Sequence, residues 1–165
     1  MNPINCLKLN CSWTVEHWRR GVLLRRSIFK NAVTLLAQNS ILETMFAGAS
    51  QEVLWYLGLI DSDSFDLLEV NDTMLAHPGW SEYVDYTEIT RPVWATGAAT
   101  NGLKINTLAI DFNINADGSV RGGLLASDDT KGGTAGLLWG TALFAEEMVV
   151  ETGDVIKALY GIQAG

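Results

Sequence analysis

The sequence contains few of the residues that build metal centres, disulfide bonds or catalytic triads. Among 165 residues there are two cysteines, Cys6 and Cys11, and two histidines, His17 and His77. The cysteines have no second Cys pair or neighbouring His to complete a four-ligand zinc set, so we expect two reduced thiols and no cofactor. The histidines stand alone on different predicted elements, which is more typical of surface residues than of catalysts.

Long apolar runs are also missing. No uninterrupted run approaches the ~20 residues needed to cross a bilayer. Lys8, Glu16 and Arg19 interrupt the region where a signal peptide would need an apolar centre. We therefore expect a protein that is made in the cytoplasm and does not bind a membrane.

Charged residues make up only 18% of the chain, against 48% hydrophobic residues. So low a content of charged residues indicates that other copies of the chain, or a partner, cover part of its apolar surface, as in an oligomer or an assembly component. The net charge of −8 argues against nucleic acid as a direct partner, because affinity for phosphate depends on cationic side chains.

The charge is divided unevenly along the chain. Residues 1–50 hold six Lys or Arg and two Asp or Glu, or +4, whereas residues 51–165 hold five and seventeen, or −12. We take this change as the boundary between a basic N-terminal arm, residues 1–50, and an acidic body, residues 51–165. The two parts are expected to have different partners.

The arm is predicted to be helical. Thr14 can act as an N-cap, and Val15, Trp18, Val22 and Phe29 recur at helical spacing, which predicts a helix from Thr14 to about Ile28. A second helix is predicted from about Asn31 to Phe46, with Gly48 as its stop signal. The pair either docks on a partner or packs on its own domain. The arm's candidate interface residues are Arg19, Arg20, Arg25, Arg26 and Lys30.

The body is predicted to be mainly β. The run Val53–Ile60 favours a buried central strand, and it ends in a turn-forming cluster from Asp61 to Ser64. A long ordered loop follows, with one short strand near Tyr83–Ile89. Later strands are predicted at Gly136–Phe144 and Val155–Ile162, after a glycine-rich loop. This succession is typical of an antiparallel β-sandwich or barrel.

The clearest local pattern predicts a β-hairpin. Apolar and polar residues alternate from Leu108 to Ile114, Asp117-Gly118 follows, and a second apolar run extends from Val120 to Ala126. Asp-Gly between two such runs favours a two-residue primed turn, which requires positive φ.

Several motifs are too incomplete to predict a ligand site. Asp61, Asp63 and Asp66 lack the glycine and glutamate of an EF-hand, so Asx-turns are the better interpretation. The glycine pairs at 122–123 and 132–133 lack the Gly-Lys-Ser/Thr ending of a phosphate loop and open no helix.

Tryptophan is abundant, with six residues. Trp55 and Trp139 lie inside predicted strands and are expected in the core. Trp80 and Trp94 stand in polar surroundings, so we take them as candidate interface residues; for Trp80, packing that anchors its loop is the favoured interpretation, and an intersubunit or ligand contact is the alternative.

Several segments spread across residues 53–162 form a recognisable succession. The segments are Trp55-Tyr56-Leu57-Gly58-Leu59-Ile60-Asp61; Asp72-Thr73-Met74-x-x-His77-x-Gly79-Trp80-x-Glu82; Tyr86; Arg91-Pro92-x-Trp94; Phe112-x-Ile114-x-x-Asp117-Gly118; Thr130-Lys131-Gly132-Gly133-x-x-Gly136-x-Leu138; Ala142-Leu143-Phe144; and Gly153-Asp154-Val155-Ile156-Lys157. Together they resemble a family of small structural proteins of tailed bacteriophages. The resemblance implies a β body that belongs to a virus particle, and it leaves residues 1–50 uncovered.

The leading hypothesis is a non-enzymatic virion protein, assembled in the host cytoplasm, that decorates or cements the capsid. Its β bodies are expected to cluster as homotrimers, with the arm on the major capsid protein. One alternative is a tail-fibre, spike or adaptor component that docks on tail or portal proteins. Another is a carbohydrate-binding module or enzyme that uses Trp80, Trp94 and a loop carboxylate, Asp72 or Glu82.

Overall fold

The computed structural model describes residues 8–165. Within them it contains nine strands and one helix. The elements are β1 (Leu9–Arg19), β2 (Val22–Val33), α1 (Leu35–Phe46), β3 (Tyr56–Asp61), β4 (Glu82–Tyr83), β5 (Leu103–Ile105), β6 (Ile110–Asn113), β7 (Gly118–Ala126), β8 (Leu138–Val150) and β9 (Val155–Ala164).

The strands form one curled antiparallel sheet in the order β4-β3-β7-β8-β2-β1-β9-β5, with β6 also paired to β9. The concave side encloses the main core. Trp13 on β1 and Gly123 on β7, strands that are not neighbours in the sheet, meet across this core. The prediction of a mainly β, antiparallel protein is confirmed. No helix within residues 8–165 has the length and apolar character needed to cross a bilayer.

The prediction of a helix from Thr14 to Ile28 is wrong, because these residues form the β1–β2 hairpin. Cys11, Trp13, Val15 and His17 are all buried and alternate with more exposed residues, which is the period of a strand. The turn has two residues with positive φ, Arg20 (50°) and Gly21 (77°), as a primed turn requires. β1 pairs with β9 along ten residues, so the arm's strands belong to the same sheet as the body's.

The second predicted helix is present but shorter, since α1 begins at Leu35 instead of Asn31. Thr34 is its N-cap: the Thr34 side chain accepts a hydrogen bond from Ala37 N at 3.1 Å and donates one to Leu138 O at 2.6 Å. The chain leaves the helix through Gly48, which has φ of 74°. The stop signal is therefore placed as predicted.

The first strand of the body is confirmed, although it lies beside the two-residue edge strand β4 and not at the centre of the sheet. Leu57, Leu59 and Ile60 are fully buried in it. The short strand predicted near Tyr83–Ile89 is only β4. Asp61 Oδ1 accepts a hydrogen bond from Asp63 N at 2.9 Å, which confirms an Asx-turn there.

The predicted β6–β7 hairpin is wrong, although both strands exist. β6 pairs with β9, whereas β7 pairs with β3 and β8. Ile114 exchanges backbone hydrogen bonds with Gly153 and Asp154, which keeps β6 on the β9 side, and Gly118 does not have a positive φ. Phe112, Ile114 and Val120 all enter one core cluster, so their alternation reflects a shared core and not mutual pairing.

The predicted strands at the C-terminal end are confirmed as β8 and β9, both somewhat longer than expected. The glycine pair of β7 serves close packing. A Cβ on Gly123 would lie 2.8 Å from the Trp13 ring, and one on Gly122 would collide with the carbonyl oxygen of Ala142 on β8. Only glycine allows these approaches.

Candidate interaction surfaces

Strand β2 carries three of the candidate basic residues, Arg25, Arg26 and Lys30, on an exposed part of the molecule. It hydrogen-bonds to β1 along its length, but it reaches β8 only through Ala32 and Val33. The segment from Val22 to Asn31 therefore has backbone strand pairing on one side only, although the side chains of Arg25 and Phe29 contact β8. None of its residues is fully buried.

Alternate residues of β2 point away from the core and form a row that we call the β2 outer row. The row combines apolar and cationic side chains, and Ile28 is 72% exposed. Its members are Leu24, Arg26, Ile28 and Lys30, whereas a β-bulge near Leu24 turns Val22 to the other face, where it pairs with Arg19. An exposed strand edge of this length is a surface that proteins normally cover or protect.

Arg19 has a structural role. Its guanidinium donates to both carboxylate oxygens of Asp154 at 2.9 Å and to Glu151 Oε1 at 2.7 Å. His17 Nε2 lies 2.7 Å from Asp154 Oδ2, and His17 is buried, contrary to the expected surface position. These contacts fix the β8–β9 turn to β1.

The electrostatics of Asp154 follow from these contacts. Burial raises the pKa of Asp154, but the hydrogen bonds from Arg19, from the backbone N–H of Glu151 and from His17 outweigh it. The net effect is a pKa well below the ordinary value, so the carboxylate stays charged and holds its donors.

The other four candidate interface cations of the arm divide into two pairs. Arg25 reaches Glu146 Oε2 at 3.1 Å, and Arg26 lies 3.7 Å from Glu16 Oε1 on the neighbouring strand. Arg20 and Lys30 are exposed and have no ion-pair partner in the part of the chain that the structure describes. These two cations are free to contact another molecule.

A second surface is a half-open groove of about 670 Å³ between α1 and the sheet. Three tryptophans contribute to its lining, and Glu52 and Lys104 are its charged residues. The apolar lining consists of Ala37, Ile41, Met45, Val53, Leu54, Trp55, Val93, Trp94, Ala95, Leu125, Leu137, Trp139 and Ile162. We call this site the α1 groove.

The helix that forms one wall of the groove is weakly attached. Ala37 is its only buried residue. Its inner face carries Ala37, Ile41 and Met45, whereas Leu42 and Phe46 lie on the opposite face, and Phe46 is 83% exposed. A helix with apolar residues on both faces is normally covered on both.

Trp94, a predicted interface residue, lies at the α1 groove but is 94% buried. Its Nε1 donates to the carbonyl oxygen of Tyr160 at 2.9 Å. Trp55 and Trp139, which were expected in the core, are only half-buried, and their rings meet edge to face at 5.7 Å. The groove therefore exposes parts of aromatic rings that the sequence assigned to the interior.

Trp80 is buried in the long loop. Its Nε1 donates to Asp72 Oδ2 at 2.9 Å, and its ring stacks on His77 at 3.8 Å between centroids. This is the loop-anchoring arrangement that the sequence favoured for Trp80. Little of the ring is available for a contact between subunits.

The carboxylates of the carbohydrate hypothesis are engaged inside the chain. Asp72 accepts the Trp80 hydrogen bond, and Glu82 Oε2 lies 2.7 Å from the Arg91 guanidinium. Arg91 is fully buried and also donates to the carbonyl oxygens of Asp128 and Gly133. These residues tie the long loop to the glycine-rich loop.

Potential metal ligands do not cluster among residues 8–165. No group of three or more His, Cys, Asp or Glu side chains there is arranged to hold a metal ion. Cys11 is a free thiol in the core, and burial raises its pKa. Cys6 lies outside the described residues.

Comparisons with known proteins add no relative. No protein-family model matches the chain, and no curated protein shows significant sequence similarity to it.

Sequence reasoning missed two features of these surfaces. The β2 outer row has only a short signal, since Arg26, Ile28 and Lys30 follow one another at the period of two that places residues on one face of a strand. The α1 groove has none, because it depends on how far the helix stands from the sheet.

Proposed function

We propose that the protein is a non-enzymatic structural component of a bacteriophage virion. In this proposal it decorates or cements the head by binding across major capsid subunits, as clustered copies that form a homotrimer. It is assembled in the host cytoplasm and contacts neither membrane nor nucleic acid directly. The antiparallel β body and the sequence resemblance both support a virion component of this class.

The observation that carries the proposal is the β2 outer row on a strand with one free edge. It places cations and large apolar side chains side by side on an otherwise acidic protein. Such a row fits a partner surface that is acidic and partly apolar, since charge complementarity sets orientation and apolar contact supplies affinity. Specific interfaces bury about 1,200–2,000 Å² in total, so the row would be one part of the contact.

The binding residues in this proposal are fewer than the five cations of the sequence prediction. Arg20 and Lys30 are the primary contacts because they are exposed and unpaired among residues 8–165. Arg25 and Arg26 can exchange their weak ion pairs for a partner's carboxylates. Arg19 belongs to the turn clamp and is not assigned to the interface.

The first experiment counts the copies of this chain per purified particle of the virus that encodes it, by quantitative mass spectrometry against the major capsid protein. A ratio near one per capsid subunit, or one per three, supports the cement role. A few to a few dozen copies supports the alternative, a tail-fibre, spike or adaptor component. Absence from particles overturns both.

The second experiment tests the surface. The variant Arg20→Gln/Lys30→Gln is expected to bind heads lacking the protein at least about tenfold more weakly, because two charge contacts are lost. The control variant Lys8→Gln/Lys157→Gln removes the same charge away from β2 and from the α1 groove, and it should bind like the unchanged protein. Equal binding by the two variants contradicts the assignment of β2 and its turn as the binding surface.

A further inference from the structure

We propose that the α1 groove is a self-association site, in which residues of α1 from a second copy of this chain fill the groove. This inference rests on the proposed function and deepens it, because clustered copies on a capsid need a contact with each other. The contact is made by α1 of one copy and the α1 groove of another. It is separate from the β2 outer row.

The first argument is the state of α1 in the isolated chain. One face of the helix overhangs an unfilled apolar groove, and the other presents Leu35, Leu42 and Phe46 to solvent. The helix buries only Ala37. Short helices depend on packing for their stability, and α1 has little packing within its own chain. A second copy that covers its exposed apolar side chains would supply the missing contacts.

The second argument is that the groove and the side chains that could fill it belong to the same surface. The groove has a volume of about 670 Å³ and is lined by Trp55 and Trp139. A cavity of ~150 Å³ already accepts a benzene molecule, so the groove has room for Phe46 and its neighbours from another copy. A chain that carries both the groove and the apolar side chain can place its helix in the groove of the next copy, and such head-to-tail contacts close into a ring like the proposed homotrimer.

The third argument is the available area. The exposed apolar side chains here are 42–85% exposed. They are Leu35, Leu36, Leu42, Met45, Phe46, Val53, Leu54 and Val93. With ~150 Å² for a fully exposed large side chain, they present on the order of 700 Å² per copy, close to the ~800 Å² per partner of a stable interface. Charge is sparse, with Glu52 and Lys104 able to pair between copies.

The test measures the mass of the purified full-length chain by sedimentation velocity over a range of concentrations. We expect an oligomer that dissociates on dilution. Phe46→Lys should raise the dissociation constant at least about tenfold, while the lysine suits the C-terminal end of the helix and preserves it. Leu75→Lys is the matched control, because Leu75 is 79% exposed in the long loop, and it should associate normally.

A charge exchange locates the contact. Phe46→Lys and Val53→Glu are each expected to be largely monomeric, and mixing them should restore association because the introduced lysine of one copy meets the introduced glutamate of the other. A chain that is monomeric at ~100 µM, or a Phe46→Lys variant that associates normally, overturns the proposal. If both variants are monomeric and mixing restores nothing, the assigned contact between Phe46 and the groove is wrong.

The two proposals fail separately. Self-association is measured without particles, and head binding is measured with the Arg20→Gln/Lys30→Gln variant, which leaves α1 unchanged. If the unchanged protein self-associates but does not bind heads, only the virion role is contradicted, and if it binds heads but stays monomeric, only the α1 contact is contradicted.

Discussion

Strands β1 and β2 are neighbours in one hairpin, yet they serve opposite purposes. In β1, Cys11, Trp13, Val15 and His17 are all at least 95% buried, while β2 has no buried residue and exposes Leu24 and Ile28. The difference lies in their neighbours, because β1 has a strand on each side along its length and β2 has one. The hairpin thus connects two regions. The interior, which includes β1, stabilises the fold, whereas the periphery, β2 and α1, exposes the surfaces that could bind other molecules.

This comparison predicts that interior changes lower stability, whereas peripheral changes alter binding. The largest loss is expected from Arg91→Met, since it leaves Glu82 charged and unpaired in the interior. Removing one partner of a buried ion pair costs about 3–5 kcal/mol. Urea denaturation measures the loss, and Lys157→Met, which breaks the exposed pair with Asp111, should cost less than about 1 kcal/mol.

If the buried pair acts as a unit, the double variant Arg91→Met/Glu82→Leu should be less destabilised than the two single changes added together. Simple additivity would show that Arg91 acts through its hydrogen bonds to the loop carbonyl oxygens alone.

The next loss is expected where β7 meets β1. Gly123→Ala places a methyl group within 2.8 Å of the Trp13 ring, and overpacking of this kind costs about 1–3 kcal/mol. In the control Gly97→Ala, the new methyl group meets only the Thr107 methyl at an ordinary 3.5 Å. Thermal unfolding of the two variants compares them, and equal melting temperatures would contradict the close packing of β1 on β7.

A loss that depends on pH is expected at the β8–β9 turn. Asp154→Asn weakens the hydrogen bonds of His17 and Arg19, and the loss of buried hydrogen bonds costs about 1–3 kcal/mol at neutral pH. Because the folded pKa of Asp154 is lowered, its contribution is complete above the unfolded pKa of about 3.9 and declines as the pH falls towards the folded pKa.

The unfolding free energy of Asp154→Asn should therefore depend less steeply on pH below about 4 than that of the unchanged protein. Asp111→Asn is the control because Asp111 is a partly exposed carboxylate with one partner, Lys157. An unchanged acid profile in Asp154→Asn would show that other carboxylates control the acid transition.

The smallest effect on stability is expected in the β2 outer row. Ile28→Thr should change the unfolding free energy by no more than about 0.5 kcal/mol, because Ile28 is 72% exposed and threonine keeps the branched side chain that strands favour. Head binding by the same variant is expected to weaken. A large loss of stability would place β2 in the interior and remove the contrast with β1.

The sequence predicted the elements whose pattern is local. The strand ending at Asp61, the strands β8 and β9 and the stop of α1 near Gly48 were all found. The β1–β2 hairpin was also readable, because Cys11 to His17 alternate and Arg20-Gly21 forms a primed turn. The helical interpretation failed because it counted Trp18 and Val22 at helical spacing and ignored this period of two.

Only the tertiary structure decided which strands pair and which surfaces remain uncovered. Alternation shows that β6 and β7 each have an apolar face, but both strands use that face on one shared core, so it does not identify their partners. The burial of Trp80, the ion pair between Glu82 and Arg91 and the groove beside α1 depend on contacts between residues distant in sequence. The order of residues alone determines that positive charge is concentrated in the first 50 residues. The folding of the sheet decides that several of these cations lie on β2, a strand with one edge largely unpaired.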